Sequence, residues 1–202
     1  MPGSADLGRL LAVPAEEAAL VLLGCTLSHR APDGTVTVRL TEVEAYAGEA
    51  DPASHAWRGR TPRNAVMFGP AAFLYVYLSY GMHFCGNVVV GTEGSAAAVL
   101  LRAGDVVEGE DLARARRGPA VRAHALGRGP ANLMQALGVD RSHDGAALLA
   151  EGPLVLEHHG SVDPARVRTG PRVGVSRAAD VPWRFWLDGE PSVSAYRRSP
   201  RA

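Results

Sequence analysis

Two segments carry side chains that could do chemistry together. The first is TVTVRLTEVEAY, where a Val- and Thr-rich run predicts a long β-strand over Thr35–Tyr46. Side chains on a strand alternate between faces, so Val36, Val38 and Leu40 share a face with Glu42, Glu44 and Tyr46. An apolar face then ends in two carboxylates and a phenol. A carboxylate there is desolvated, which raises its pKa and makes it a better base. Spaced i, i+2, the two acids lie about 6.5–7 Å apart at the backbone, a separation that also suits a glycosidase-type pair. On the strand alone, the commoner explanation is a strand emerging into solvent with exposed acids.

The second segment is AAFLYVYLSYGMHFCGN. Ala72–Ser79 and Met82–Val90 predict two strands joined at Tyr80 and Gly81 as a hairpin tip. Tyr75 and Tyr77 share one face; Tyr80 has the opposite parity. Aromatics on sheets usually fill cores, and Tyr75 is expected to do so. Tyr80, Met82, His83 and Phe84 at an apolar tip would instead form an exposed wedge, the device that enters a minor groove and unstacks bases. A protein–protein patch is the competing explanation.

Other chemistries find little support. Cys25 and Cys85 are far apart, form no CxxC pair and are expected to be buried, reduced thiols. The 7 histidines show no metal-ligand spacing, and His158 and His159, being adjacent, would face opposite ways on a strand. No metal and no cofactor are expected. All 21 basic residues are Arg. Schiff-base chemistry on a sugar needs an amine; without Lys only the N-terminal amine remains, so a chain of this kind that cuts glycosidic bonds is expected to use water.

The elements that must position these residues follow from length and composition. The 202 residues suffice for one domain with a real core, expected over 1–202 with a frayed tail from 197. No apolar run approaches the ~18–20 residues needed to span a bilayer, and MPGSADLGRL has no cationic start before an apolar stretch; a cytoplasmic location follows as an expectation. The formal net charge is zero, yet Pro52–Thr92, Leu112–Val139 and Pro164–Ala179 contain no acid and several arginines each. Brought together, such stretches would make a phosphate-binding surface; apart, they are ordinary solvated faces. Helices are expected over Pro14–Leu23, Gly109–Arg117 and Ala131–Leu137, and further strands over Ala96–Val107, Pro153–Glu157, Arg172–Val175 and Arg184–Leu187, with an irregular loop at Ser54–Asn64. Strands and helices do not alternate regularly. The fold class expected is α+β, a curved antiparallel sheet with surrounding helices and a protruding β-hairpin.

With TEVEAY, ASHAWRGRTPRNAVMF, LYVYLSYGMHFCGN, VLLRA, GPANLMQALG, PRVGVS and WRFWL in this order, the chain resembles the alkyladenine (3-methyladenine) DNA glycosylases from about Leu7 to Tyr196. The resemblance implies an enzyme that flips damaged purines out of double-stranded DNA and hydrolyses the N-glycosidic bond, leaving an abasic site. It implies that Glu44 is the general base for a water also held by Arg102 and the backbone of Val173. It places the extruded base among Tyr46, His55 and Tyr77, with backbone contacts near Ala53 and His55. Asn87 resembles the asparagine that disfavours the 2-amino group of guanine, and Tyr80 the intercalating tyrosine. Met82, His83, Arg58 and Arg63 are candidate DNA contacts. Glu42 is expected to be structural, orienting the loop that carries His55. Asn132 stands where a lysine is frequent and Ala72 where a glycine is usual. A monomer acting on alkylated purines, hypoxanthine or etheno-adenine without strand nicking is the expectation. A noncatalytic nucleic-acid-binding module and a hydrolase of free nucleosides are the alternatives from other classes.

Overall fold

In the computed structural model, residues 4–202 are described; Met1–Gly3, the start of the MPGSADLGRL segment read above, lie outside the described residues. The chain runs α1 (Ser4–Leu11), α2 (Ala15–Leu22), β1 (Thr26–Ala31), β2 (Gly34–Ala47), β3 (Leu74–Ser79), β4 (His83–Val90) and β5 (Ala97–Glu108). It continues through α3 (Glu110–Arg117), β6 (Gly127–Arg128), α4 (Pro130–Leu137), β7 (Leu154–Glu157), β8 (Val167–Gly170) and β9 (Arg184–Leu187). Pro14 caps α2, and Glu16 and Glu17 in its first turn complement the positive end of the helix dipole. Pro130 opens α4 and Gly138, at φ 72°, closes it. The strand β1 escapes sequence inspection because Ser28, His29 and Arg30 hide its period. Ser28 and His29 are nonetheless buried, bonded to Thr37 Oγ1 and to the Leu137 carbonyl.

The nine strands of the described residues form one sheet in the order β3-β4-β5-β2-β1-β7, with β6 on β5, β9 on β2 and β8 on β9. Every pairing is antiparallel, and with its helices the fold is α+β. One face packs Leu74, Val76, Val88, Val99 and Leu101 against Leu22 of α2 and Leu133, Met134 and Leu137 of α4. The opposite face carries Tyr75, Val89 and Ala98 beneath Ala56 and Met67 of the loop after β2. Alternation along β3, β4 and β5 thus divides a helix-covered side from a loop-covered side.

On β2 the expected alternation breaks. Leu40 pairs with Gly104 and Val43 with Leu101, and the register shifts twice between these pairs. Glu42 pairs with Ala103, out of step with the pairs on either side, and the alternation of side chains slips at that point. Val43 and Ala45 therefore continue the core face of Val36, Val38 and Leu40, while Glu42, Glu44 and Tyr46 do not share it. The predicted shared face is wrong for a physical reason: an irregularity in paired strands re-aims side chains, as bulges do beside active sites. Both acids are fully buried, which also removes the solvent-exposed explanation.

Arg172–Val175 is not a strand. Pro171 supplies no amide hydrogen and Gly174 adopts φ 72°, so the segment is a loop whose Val173 N–H is spent on a side chain rather than a neighbouring strand. Residues 197–202 are largely exposed, although the Gly174 N–H donates to the Arg197 carbonyl at 3.0 Å and Arg198 pairs with Asp180.

Candidate active site

At the β2–β5 irregularity a four-member charge cluster sits out of water. Glu42 accepts hydrogen bonds from Arg102 Nε (2.9 Å), Arg184 Nε (2.6 Å), and the N–H (2.6 Å) and hydroxyl (2.9 Å) of Ser194. These four donors hold Glu42 and Arg102 together; among the described residues, none of the hydrogen-bond partners of Glu42 lies in the loop carrying His55. Glu44 is less encumbered. Its Oε1 accepts from the Val173 N–H at 2.7 Å and lies 3.4 Å from Arg102 Nη1; its Oε2 accepts from the Tyr46 hydroxyl at 2.9 Å. Burial raises the Glu44 pKa, opposed in order by Arg102, the Val173 N–H and the Tyr46 hydroxyl, and reinforced by Glu42. A carboxylate oxygen has two acceptor sites, so Oε2 keeps one for a further donor such as water.

Glu44 and Arg102 open onto a cavity of ≈ 730 Å³, within the range of small-molecule sites. Tyr46, Ala53, His55 and Tyr77 line it, as do Asn87 and Val173. The His55 ring meets Tyr77 edge-on, centroids 4.5 Å apart, and its Nδ1 lies 3.3 Å from the Tyr75 hydroxyl. Burial first, then Arg63, lowers the His55 pKa, favouring the neutral ring at neutral pH. Asn87 Nδ2 donates to the Tyr75 carbonyl at 3.3 Å. The Ala53 N–H is committed to Asp51 Oδ1 at 3.0 Å, leaving its carbonyl for contacts, whereas the His55 N–H has no protein acceptor among the described residues.

Tyr80, Arg58 and Arg63 stand at the same cavity; Met82 and His83 are not part of its lining. Between β3 and β4, Ser79 opposes His83 and Tyr80–Met82 make the connection. The Met82 N–H donates to the Ser79 carbonyl at 3.1 Å, with Tyr80 at φ 50° and Gly81 at φ 71°. Left-handed backbone at both central residues suits a tight turn between antiparallel strands, but for an aromatic residue it is strained. Tyr80 is 90% exposed and Met82 71%, so no burial compensates that strain. Tyr75 is buried, as expected, yet its ring also reaches the cavity wall.

Sequence inspection missed the groups that fix these parts. Arg172 is almost fully buried, pairs with Asp51 through both terminal nitrogens (Nη2 to Oδ1 3.0 Å), and donates to the Ala45 carbonyl at 3.0 Å. Its guanidinium lies between the rings of Tyr46 (4.6 Å) and Trp183 (5.3 Å). One ion pair thus joins the end of β2, the Asp51–His55 loop and the residue preceding Val173. The C-terminal segment does the same for the charge cluster, through Ser192 on Thr41 and Ser194 on Glu42. A signal existed for Arg102, a charge within the apolar run AAVLLRAG; none existed for the polar, aperiodic tail.

With this geometry established, a protein-family model described as Methylpurine-DNA glycosylase matches residues 9–191. The chain belongs to the methylpurine-DNA glycosylase family: it is a DNA glycosylase, a hydrolase of N-glycosyl bonds that serves base-excision repair of DNA damage. It is 57% identical over 199 residues to a Nocardia farcinica protein named "Putative 3-methyladenine DNA glycosylase", covering 95% of this chain and 92% of that one. Proteins of the same name from Streptomyces avermitilis (53% identity; 93% and 90% covered) and Mycobacterium tuberculosis (50%; 95% and 94%) are also similar.

Proposed function

We propose that the protein, acting as a monomer, extrudes a damaged purine from double-stranded DNA and hydrolyses its N-glycosidic bond with a water activated by Glu44. The observation that carries this is the placement of Glu44: dry, held by Val173, Arg102 and Tyr46, and facing an aromatic cavity. Tyr46, His55 and Tyr77 receive the base, and their π-faces favour cationic alkylated purines such as 3-methyladenine. Neutral hypoxanthine and etheno-adenine gain less from stacking. Asn87, in the cavity wall, opposes the 2-amino group of guanine in this proposal. Tyr80 fills the gap in the duplex, offsetting the few kcal/mol that unstacking costs.

Bond cleavage builds oxocarbenium character on the sugar. An ionised Glu44 both takes the proton of the attacking water and stabilises that charge, and Arg102 and the Val173 N–H keep the carboxylate aimed. The chain contains no Lys, which leaves the N-terminal amine as its one amine able to form a Schiff base; this supports water as the nucleophile and a product strand that stays intact. The test is release of base from duplexes bearing each lesion, by wild type and Glu44→Gln. Wild type is expected to leave uncut abasic strands. Glu44→Gln is expected to keep lesion binding and lose about 10²–10⁴ in single-turnover rate. Wild-type turnover by Glu44→Gln, or efficient nicking by pure protein, would contradict the mechanism.

A further inference from the structure

At the mouth of the cavity, Trp57 is 37% exposed and two arginines lie against its ring, Arg177 at 4.4 Å and Arg58 at 5.8 Å. All three line the cavity with Arg63, and the sole acid in that lining is Glu44, at its depth. Among the described residues neither Arg58 nor Arg177 enters an ion pair. That contrasts with Arg102, Arg172 and Arg184, which are consumed by buried carboxylates. Arg177 is therefore a cation fixed in position without being neutralised.

We infer that Trp57 and Arg177 form a phosphate clamp at the cavity rim, which grips a backbone phosphodiester flanking the extruded nucleotide. An indole face orders a guanidinium through its quadrupole while leaving the edge N–H donors free, and a fan of free donors matches phosphate oxygens. A nucleotide entering the cavity must bring its two phosphates to the rim. Arg177 lies four residues beyond Val173, on the loop whose N–H holds Glu44, and Ala178 turns the chain there at φ 45°, the kind of strained backbone that concentrates at functional sites. The clamp rests on the extrusion proposal above.

The test measures Kd for a duplex with a central hypoxanthine against salt, in a Glu44→Gln background that halts turnover. Arg177→Gln is expected to lower the slope of log K against log[salt] by about 0.9, so its deficit narrows about 3.5-fold between 50 and 200 mM salt. Trp57→Ala is expected to lose as much, Trp57→Phe little, and the double variant no more than either single change. Replacing each flanking phosphodiester with a neutral methylphosphonate locates the contact. One position should weaken the parent protein several-fold and leave Arg177→Gln unaffected. A wild-type salt slope in Arg177→Gln, additive losses, or sensitivity to every methylphosphonate would overturn the clamp. Hypoxanthine release by the wild-type protein, measured alongside, reports on the extrusion proposal separately. Both changes are at exposed positions, and thermal melting checks that the variants fold.

Discussion

At the scale of single residues, Glu44 is a carboxylate kept where it is uncomfortable. Its pKa is raised in the fold chiefly by burial. A group of this sign contributes stability below its unfolded pKa, and that contribution is lost as pH rises through the folded value. At neutral pH an ionised Glu44 therefore lowers stability, a common relation between active-site groups and the fold that holds them. Glu44→Gln is accordingly expected to melt at or above the wild-type Tm at pH 7; a fall of several degrees would show the carboxylate to be a structural anchor. Arg172 is the counterpart that holds the site. Arg172→Lys keeps a charge for Asp51 but loses the two-pronged contact and the flat seat on Tyr46. It is expected to cost about 10²-fold in single-turnover excision, the scale of a 1 Å misplacement, with lesion binding far less affected. A wild-type rate would remove Arg172 from the positioning of the site.

At the scale of elements, two local departures from regularity do most of the aiming. The β2–β5 irregularity turns Glu42, Glu44 and Tyr46 away from the helix-covered core. Alternation located these residues at the end of the right strand and assigned them the wrong face, because Thr41 looks like any strand residue. The one clue was Gly104, where an added Cβ would sit 2.2 Å from Val38 Cγ1 and 2.7 Å from the Arg39 carbonyl oxygen. The β3–β4 turn was legible, since Tyr-Gly between two apolar runs marks a tip; the left-handed backbone at Tyr80 was not. Replacing Tyr80 with Gly is expected to relieve about 1 kcal/mol of strain, raising Tm, while lowering excision from duplex DNA far more than from a single strand. Equal losses on both substrates would separate Tyr80 from extrusion.

At the scale of the whole molecule, a zero net charge conceals its sorting. Several arginines are consumed internally by Glu42 and Asp51, while Arg58, Arg63 and Arg177 face the cavity mouth. The acid-free stretches in the sequence pointed to such a surface but could not separate buried from exposed arginines, because pairing across 60 to 142 residues leaves no local pattern. The same holds for Asp51 with Arg172 and for Ser194 with Glu42. Motif-bearing segments were readable one at a time; what ties them to one another is tertiary and was not. No helix among the described residues is long and apolar enough to cross a membrane.

Everything in the mechanism depends on a desolvated, ionisable Glu44 taking a proton from water. The direct measurement is the single-turnover excision rate against pH on a duplex bearing an N-methylated cationic purine, whose leaving group needs no added proton. Wild type should lose activity as pH falls through a midpoint above the ordinary glutamate value of 4.5, because a protonated Glu44 cannot take the proton of the attacking water. Glu44→Gln should be slow throughout and lack that limb. A wild-type rate that stays level below 4.5, or an acid limb that survives in Glu44→Gln, would contradict the account.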